Sequence, residues 1–169
     1  VDLVEAGRTL IRVVDDGSGM SRDDAATAVL RHATSKLRSA TDLEAIETLG
    51  FRGEALPSIA SVSRFVLISQ REDDPVGVRV DIDAGSAAAV GEAGAPVGTR
   101  IEVHDLFHNV PARRKFLKSD ATEFAHIQQL INAFALGQPH VHFRLQHNDR
   151  VTIDHAATRH LRDRASQVL

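Results

Sequence analysis

Asp15 closes an apolar run and stands two and four residues before Gly17 and Gly19, in the order Asp15-Asp16-Gly17-Ser18-Gly19-Met20. Two chemistries fit that spacing. One is a turn in which the carboxylate accepts a backbone hydrogen bond. In the other, the carboxylate lies on a pocket floor and accepts from an exocyclic amine such as that of adenine. Gly17 and Gly19 would then let a ring approach the backbone closely. A buried carboxylate without a partner is costly, so the two readings differ in the exposure they expect. Thr34-Ser35-Lys36 puts two hydroxyls and an ammonium in three residues. Beside a phosphate they would be donors and a point charge; otherwise they are a solvated loop. In Thr48–Pro57, Gly50 and Gly53 flank Phe51 and Arg52, and the helix-forming run Glu54-Ala55-Leu56 follows. A glycine loop opening into a helix can aim backbone N–H groups at an anion, although two glycines also occur in ordinary connections. Arg52 carries the same two readings. Glu54 suits a carboxylate facing the helix dipole better than a general base. Gly98-Thr99 is a third glycine-bearing turn. No P-loop and no strand–G-x-G-x-x-G–helix unit occurs.

Other groups point to solvated surface. Pro111–Lys118 carries four cations in eight residues, a solvated helix face or a contact for DNA phosphates. Among nine histidines, His140 and His142 share a strand face, and His147, His155 and His160 follow without zinc-site spacing. With no cysteine, disulfides, thiolate metal sites and cysteine nucleophiles are excluded. A net charge of −3 does not mark a nucleic-acid binder by bulk electrostatics. No apolar run reaches membrane-spanning length, and no signal-peptide pattern opens the chain.

The elements that must position these groups follow from periodicity. Val1–Val4 and Thr9–Asp15 read as a hairpin around Glu5–Arg8, the second strand central in its sheet. Ser21 and Asp24 start a helix of about ten residues with Ala25, Ala26, Val29 and Leu30 as its buried stripe. Arg31–Glu47 reads as a loop with at most a short helix over Asp42–Thr48, and the Glu54-Ala55-Leu56 run leads into a helix through Ile59 to about Val62. Arg64–Arg71, Val76–Asp83 and Gly98–Asp105 read as strands, and Ala84–Val97 is only weakly strand-like. Pro111 opens a short helix. Asp120 caps a longer one whose face is Phe124, Ile127, Ile131 and Phe134, stopped by Gly137 and Pro139. A second hairpin turns at Asn148-Asp149, and Thr158–Leu169 reads as a helix. The sum is an α+β fold with a mixed, mainly antiparallel sheet and helices on one face, in a single domain over residues 1–169.

Four segments together resemble the N-terminal ATPase domain of the MutL mismatch-repair family. They are D-D-G-S-G-M (Asp15–Met20), R-H-A-T-S-K (Arg31–Lys36), T-L-G-F-R-G-E-A-L (Thr48–Leu56) and G-T-R-I-E-V-H-D-L-F-H-N-V-P-A-R-R-K-F-L (Gly98–Leu117). The first is shared with the wider GHKL superfamily of gyrase B, Hsp90 and sensor histidine kinases; the others are more specific to MutL. The resemblance implies a two-layer αβ sandwich with ATP between the sheet–helix layer and a mobile lid. By that likeness Asp15, Gly17, Gly19 and Thr99 belong to the adenine pocket. Thr34, Ser35 and Lys36 match lid residues near the phosphates, and Gly50 would permit lid movement. Arg52, Gly53, Glu54, Ala55 and Leu56 match the lid-to-helix junction.

The resemblance also implies nucleotide-driven dimerisation with another MutL-type chain, a mismatch-recognition partner, and weak non-specific DNA contact without a membrane. The location implied is cytoplasm or nucleoid in a bacterium and nucleus in a eukaryote. The family's helix with a catalytic Glu and a magnesium-binding Asn is expected before Val1, so no catalytic residue and no Mg2+ ligand is assigned in this chain. Both ends read as cut from a longer protein, and the isolated chain is expected to bind nucleotide poorly and not to hydrolyse it. Asp16 stands where Asn is usual and Pro57 where Ala is usual. Pro57 is tolerable if its helix starts at about Ala55. Another GHKL ATPase, such as a topoisomerase subunit, and a non-catalytic interaction module are the alternatives.

Overall fold

A computed structural model describes residues 1–30 and 53–168. Its eight strands form one sheet in the order β5-β4-β3-β6-β2-β1-β7-β8. They are β1 (Asp2–Val4), β2 (Leu10–Asp15), β3 (Arg64–Gln70), β4 (Gly77–Asp83), β5 (Ala89–Ala93), β6 (Gly98–His104), β7 (Phe143–His147) and β8 (Arg150–His155). All neighbours are antiparallel except β1 and β7, which run parallel. The sheet is therefore mixed and mainly antiparallel, with β2 well inside it as its apolar sequence requires. The weak Ala- and Gly-rich segment supplies β5, an edge strand.

The helices among the described residues are α1 (Arg22–Ala28), α2 (Ala55–Ala60), α3 (Pro111–Arg114), α4 (Asp120–Gly137) and α5 (Leu161–Val168). Period-2 alternation sends one side of β3, β4 and β6 toward α1 and α2. Phe65, Leu67, Val78, Val80, Ile82 and Val103 pack with Ala25, Val29 and Ala60 in one core. A second core joins Leu3, Leu145 and Ile153 to Ile131 of α4. Ile11 packs against both, so α4 covers the same sheet face as α1 and α2.

Several local expectations shift. Ser21 caps α1 by accepting from the Asp24 N–H at 3.1 Å, but the helix ends after seven residues. Leu30 falls beyond it and is exposed, while Val29 stays buried. The cap of α4 is Ser119, whose Oγ accepts from the Thr122 N–H, so Asp120 is the first helical residue. Glu123 reaches back to the Lys118 N–H at 2.7 Å. On α4 the buried row runs through Ile131 to Ala135, leaving Phe134 40% exposed. The expected Asp42–Thr48 helix lies outside the described residues. The turn between β1 and β2 takes three successive left-handed residues, Glu5, Ala6 and Gly7. Asn148 Oδ1 accepts from the Glu5 N–H and His147 Nε2 from the Ala6 N–H, which holds the first hairpin against the second.

Candidate functional site

The C-terminal end of β2 meets the start of β6 and the end of β3. Asp15 pairs with Thr99, and Thr99 pairs with Ser69. Alternation puts these three side chains on the face shared by Ile11, Leu67 and Val103, toward α1 and α2. The Asp15 carboxylate is exposed, and Oδ1 accepts from the Gly17 N–H at 3.0 Å. The turn expected of the D-D-G-S-G run is therefore formed. Because only one oxygen serves it, Oδ2 remains an acceptor without a partner among the described residues. Asp16 points to solvent. Val13 and Val14, just before, are 41% and 53% exposed despite lying in a central strand.

The two glycines of this turn act on the protein itself. A Cβ on Gly17 would stand 2.9 Å from Asp15 Oδ1. Gly19, at φ +71°, lies against the end of β3, where a Cβ would be 2.0 Å from the Gln70 carbonyl oxygen. Gly98, at φ +122°, makes a similar approach: a Cβ there would sit 2.1 Å from the Asp15 carbonyl oxygen. Glycine at 19 and 98 thus lets three backbone segments meet under Asp15 and Thr99.

Ser69 ties them together, and sequence reasoning missed it. It is 1% exposed. Its Oγ accepts from the Met20 N–H at 2.8 Å, donates to the Gly98 carbonyl at 2.9 Å, and lies 3.0 Å from Thr99 Oγ1. A lone hydroxyl at the end of the apolar run Phe65–Ile68 was the available signal, since a buried polar group needs partners.

At the start of α2, Gly53 has φ +64°, and Glu54 is the N-cap residue rather than a first-turn one. Its side chain makes no cap hydrogen bond. The helix begins at Ala55, so buried Pro57 lies in its first turn, where its missing N–H costs little. The helical ladder starts at Ser58, whose N–H bonds to the Glu54 carbonyl. Ala55 is exposed, and Leu56 packs into the core. Thr34, Ser35, Lys36, Gly50 and Arg52 lie outside the described residues. The structure brings together Asp15, Gly17, Gly19 and Thr99, and sets Gly53–Leu56 at the start of α2.

A cleft of about 340 Å³ borders Asp15, Gly98 and Thr99 and is otherwise lined by Arg12, Val14, Ile68 and Arg100 with the Gly94–Val97 connection. Those four residues alternate with Asp15, Thr99 and Ser69, so the cleft lies mainly on the opposite sheet face. Its arginines are engaged by Glu102, which Arg12 Nε contacts at 2.9 Å and Arg100 Nε at 3.5 Å. Burial works against the Glu102 charge, but hydrogen bonds from His104 and Arg12 outweigh it and hold the carboxyl below its ordinary pKa.

Several histidines have local partners. His147 stacks on Phe124, His142 meets Asp154, and His155 pairs with Asn132. Among the described residues no group of three His, Cys, Asp or Glu could hold a metal ion. No described helix is long and apolar enough to cross a membrane.

No family model matches the chain. Over all of its 169 residues, however, it is 50% identical to the DNA mismatch repair protein MutL of Anaeromyxobacter sp. strain K, covering 28% of that protein. The chain belongs to the MutL family. A second MutL, from Symbiobacterium thermophilum, is 55% identical over 86% of the chain and 23% of the relative. The chain thus spans about a quarter of the length of the curated MutL relatives it matches. Among solved structures, the Aquifex aeolicus MutL ATPase domain complexed with ADP superposes with a TM-score of 0.75 at 34% identity. That likeness covers 99% of the chain and 58% of the Aquifex domain. The sandwich expected from the MutL motifs is the fold observed.

Proposed function

We propose that this MutL-family chain is the nucleotide-binding part of an ATP-driven switch in a DNA mismatch-repair protein. One observation carries the reading. Asp15 and Thr99 stand side by side at the ends of β2 and β6, with an acceptor oxygen of Asp15 left over beside the glycine turn. The ADP complex of the Aquifex relative supports a nucleotide at this fold. The Asp15 carboxylate accepts the adenine amine, and Gly53–Leu56 at the start of α2 lies toward the phosphates. By the family likeness, Thr34, Ser35, Lys36, Gly50 and Arg52 are assigned to the same nucleotide site. Lid ordering on ATP binding drives dimerisation with a second MutL-type chain, and hydrolysis resets it. A mismatch-recognition protein and weak, salt-sensitive DNA contact complete the partners.

Mg2+ is proposed to accompany the bound nucleotide. The magnesium ligand and the group that activates water are proposed to come from residues outside Val1–Leu169. The chain by itself then binds nucleotide weakly and does not turn it over.

Asp15→Asn tests the reading in the full-length protein that carries this chain. The amide oxygen can still accept from the Gly17 N–H, while its NH2 opposes the adenine amine. ADP affinity is expected to fall by about a hundredfold with the melting temperature little changed. Unchanged ADP affinity would remove Asp15 from the site. Brisk magnesium-dependent single-turnover hydrolysis by residues 1–169 alone would refute the division of labour.

A further inference from the structure

We infer that Ser69 is a specificity-determining positioning residue, which makes the Thr99 hydroxyl an acceptor toward the nucleobase. The inference rests on the nucleotide reading of Asp15 and Thr99 given above and names what that pocket selects.

Ser69 Oγ has three polar neighbours: the Met20 N–H, the Gly98 carbonyl and Thr99 Oγ1. A backbone N–H can only donate and a carbonyl can only accept. The single Ser69 proton therefore goes to Gly98 O, and its lone pairs take Met20 N–H and Thr99 O–H. Thr99 then has no proton left. Its two lone pairs are all it can offer to a ligand. Ser69 is almost fully buried in a row with Phe65 and Leu67, where water cannot supply an alternative partner.

Thr99 is the register partner of Asp15, whose ionised carboxylate is also an acceptor. Two acceptors on adjacent strands, facing the same side of the sheet, complement an amino group with two N–H donors. A carbonyl at that position would meet lone pairs from both. The pocket thus selects a 6-amino purine over a 6-oxo purine, and Ser69 supplies part of the selection without touching the base. Ser69 also holds the Met20 end of the D-D-G-S-G-M turn, so the turn and the hydroxyl direction are set by one residue.

ADP and inosine diphosphate separate this from a structural role, because they differ at the purine 6-position and in the N1 proton that accompanies it. Both are titrated against the full-length protein and its Ser69→Ala and Ser69→Thr variants. In Ser69→Ala the Thr99 hydroxyl is released to donate, and the preference for ADP is expected to fall about tenfold. Ser69→Thr keeps the hydroxyl and is expected to retain it. Equal weakening of both ligands, or an unchanged preference in Ser69→Ala, overturns the inference and leaves the nucleotide reading intact. Failure of the unmodified protein to bind ADP overturns both. Should Ser69→Ala not fold, NMR of the unmodified protein gives the same decision. A Thr99 hydroxyl proton protected from exchange and close to the Ser69 Hβ protons supports the assignment. A Ser69 proton directed at Thr99 refutes it.

Discussion

Gly19→Ala separates two roles for the glycine turn. One role is to let a nucleobase approach; the other is to let the turn sit on the end of β3. At φ +71° an alanine is strained by about 1–2 kcal/mol. Its Cβ would lie 2.0 Å from the Gln70 carbonyl oxygen and 2.6 Å from the carbonyl carbon. Both are backbone atoms of β3, paired in register with Gly98 of β6, so they cannot rotate aside. The turn must lift by more than an ångström, which breaks the adjacent 2.8 Å bond from the Met20 N–H to Ser69 Oγ. Losing that bond in a buried setting adds about 1–2 kcal/mol. The total is about 3 kcal/mol, and each kcal/mol lowers the melting temperature of a domain this size by about 2–4 °C. Thermal unfolding followed by circular dichroism should therefore fall by about 6–12 °C. Gly91→Ala is the control, since a Cβ there meets nothing within 4 Å. It is expected to stay within about 0.5 kcal/mol of the parent. A Gly19→Ala variant melting within about 2 °C of the parent would refute the packing role. If it had also lost ADP affinity, approach of the base would be the reason for the glycine.

Gly98→Ala should be at least as damaging, because φ +122° suits only glycine and the 2.1 Å approach is to the Asp15 carbonyl; a smaller melting shift than for Gly19→Ala would contradict this. Arg164→Met should cost about 3 kcal/mol in urea unfolding, since the fully buried guanidinium donates to the carbonyls of His155, Pro139 and Val141. A loss under about 1 kcal/mol would mean those carbonyls find other partners. Acid should weaken the fold in two stages. Burial, then the Arg164 charge, lowers the His155 pKa, so its contribution is present above about pH 6.5 and is lost as pH falls through the lower folded value. His155→Gln should flatten that first stage. Glu102, also held below its ordinary pKa, contributes above about pH 4.3 and loses that contribution at still lower pH. Glu102→Gln should flatten the second stage alone, and stability profiles identical to the parent's would refute either assignment.

Patterns with a short period were legible in the sequence, and contacts across strands were not. The alternation of Val78, Val80 and Ile82 fixed a strand and its buried face, and both are as expected. The apolar run before Asp15 pointed to an inner strand, which β2 is. Leu30 and Phe134 were misplaced because an apolar residue at helical spacing does not reveal where the helix ends or which diagonal faces the sheet. Ser119 was passed over for Asp120 because both residue types cap helices, and only the φ/ψ change tells them apart. In the candidate site, Asp15, Gly17 and Gly19 carried their own signal as a motif, and Thr99 was reached as a pocket residue only through the family resemblance. Ser69 and Gln70 did not, because their importance comes from the pairing of β3 with β6 and from the turn lying against β3's end.

That pairing changes how the site is held. Two residues at the end of β3, Ser69 and Gln70, touch the turn through Met20 and Gly19 and touch β6 through Thr99 and Gly98. Asp15 and Thr99 are consequently not placed by two independent loops. Their separation is set by the direct pairing of β2 with β6, and the turn and the Thr99 hydroxyl beside them are braced by β3, whose preceding residues Phe65 and Leu67 are locked in the core. A close-packed interior deforms little, so the spacing of Asp15 and Thr99 is held by the fold. Preorganisation of this kind lowers the ordering cost of binding. It also predicts that core changes at Leu67 reach the acceptors through β3. Leu67→Ala opens a cavity beneath Ser69's neighbour and should weaken ADP binding as well as stability. Changes in the second core, such as Ile153→Ala, should lower stability alone.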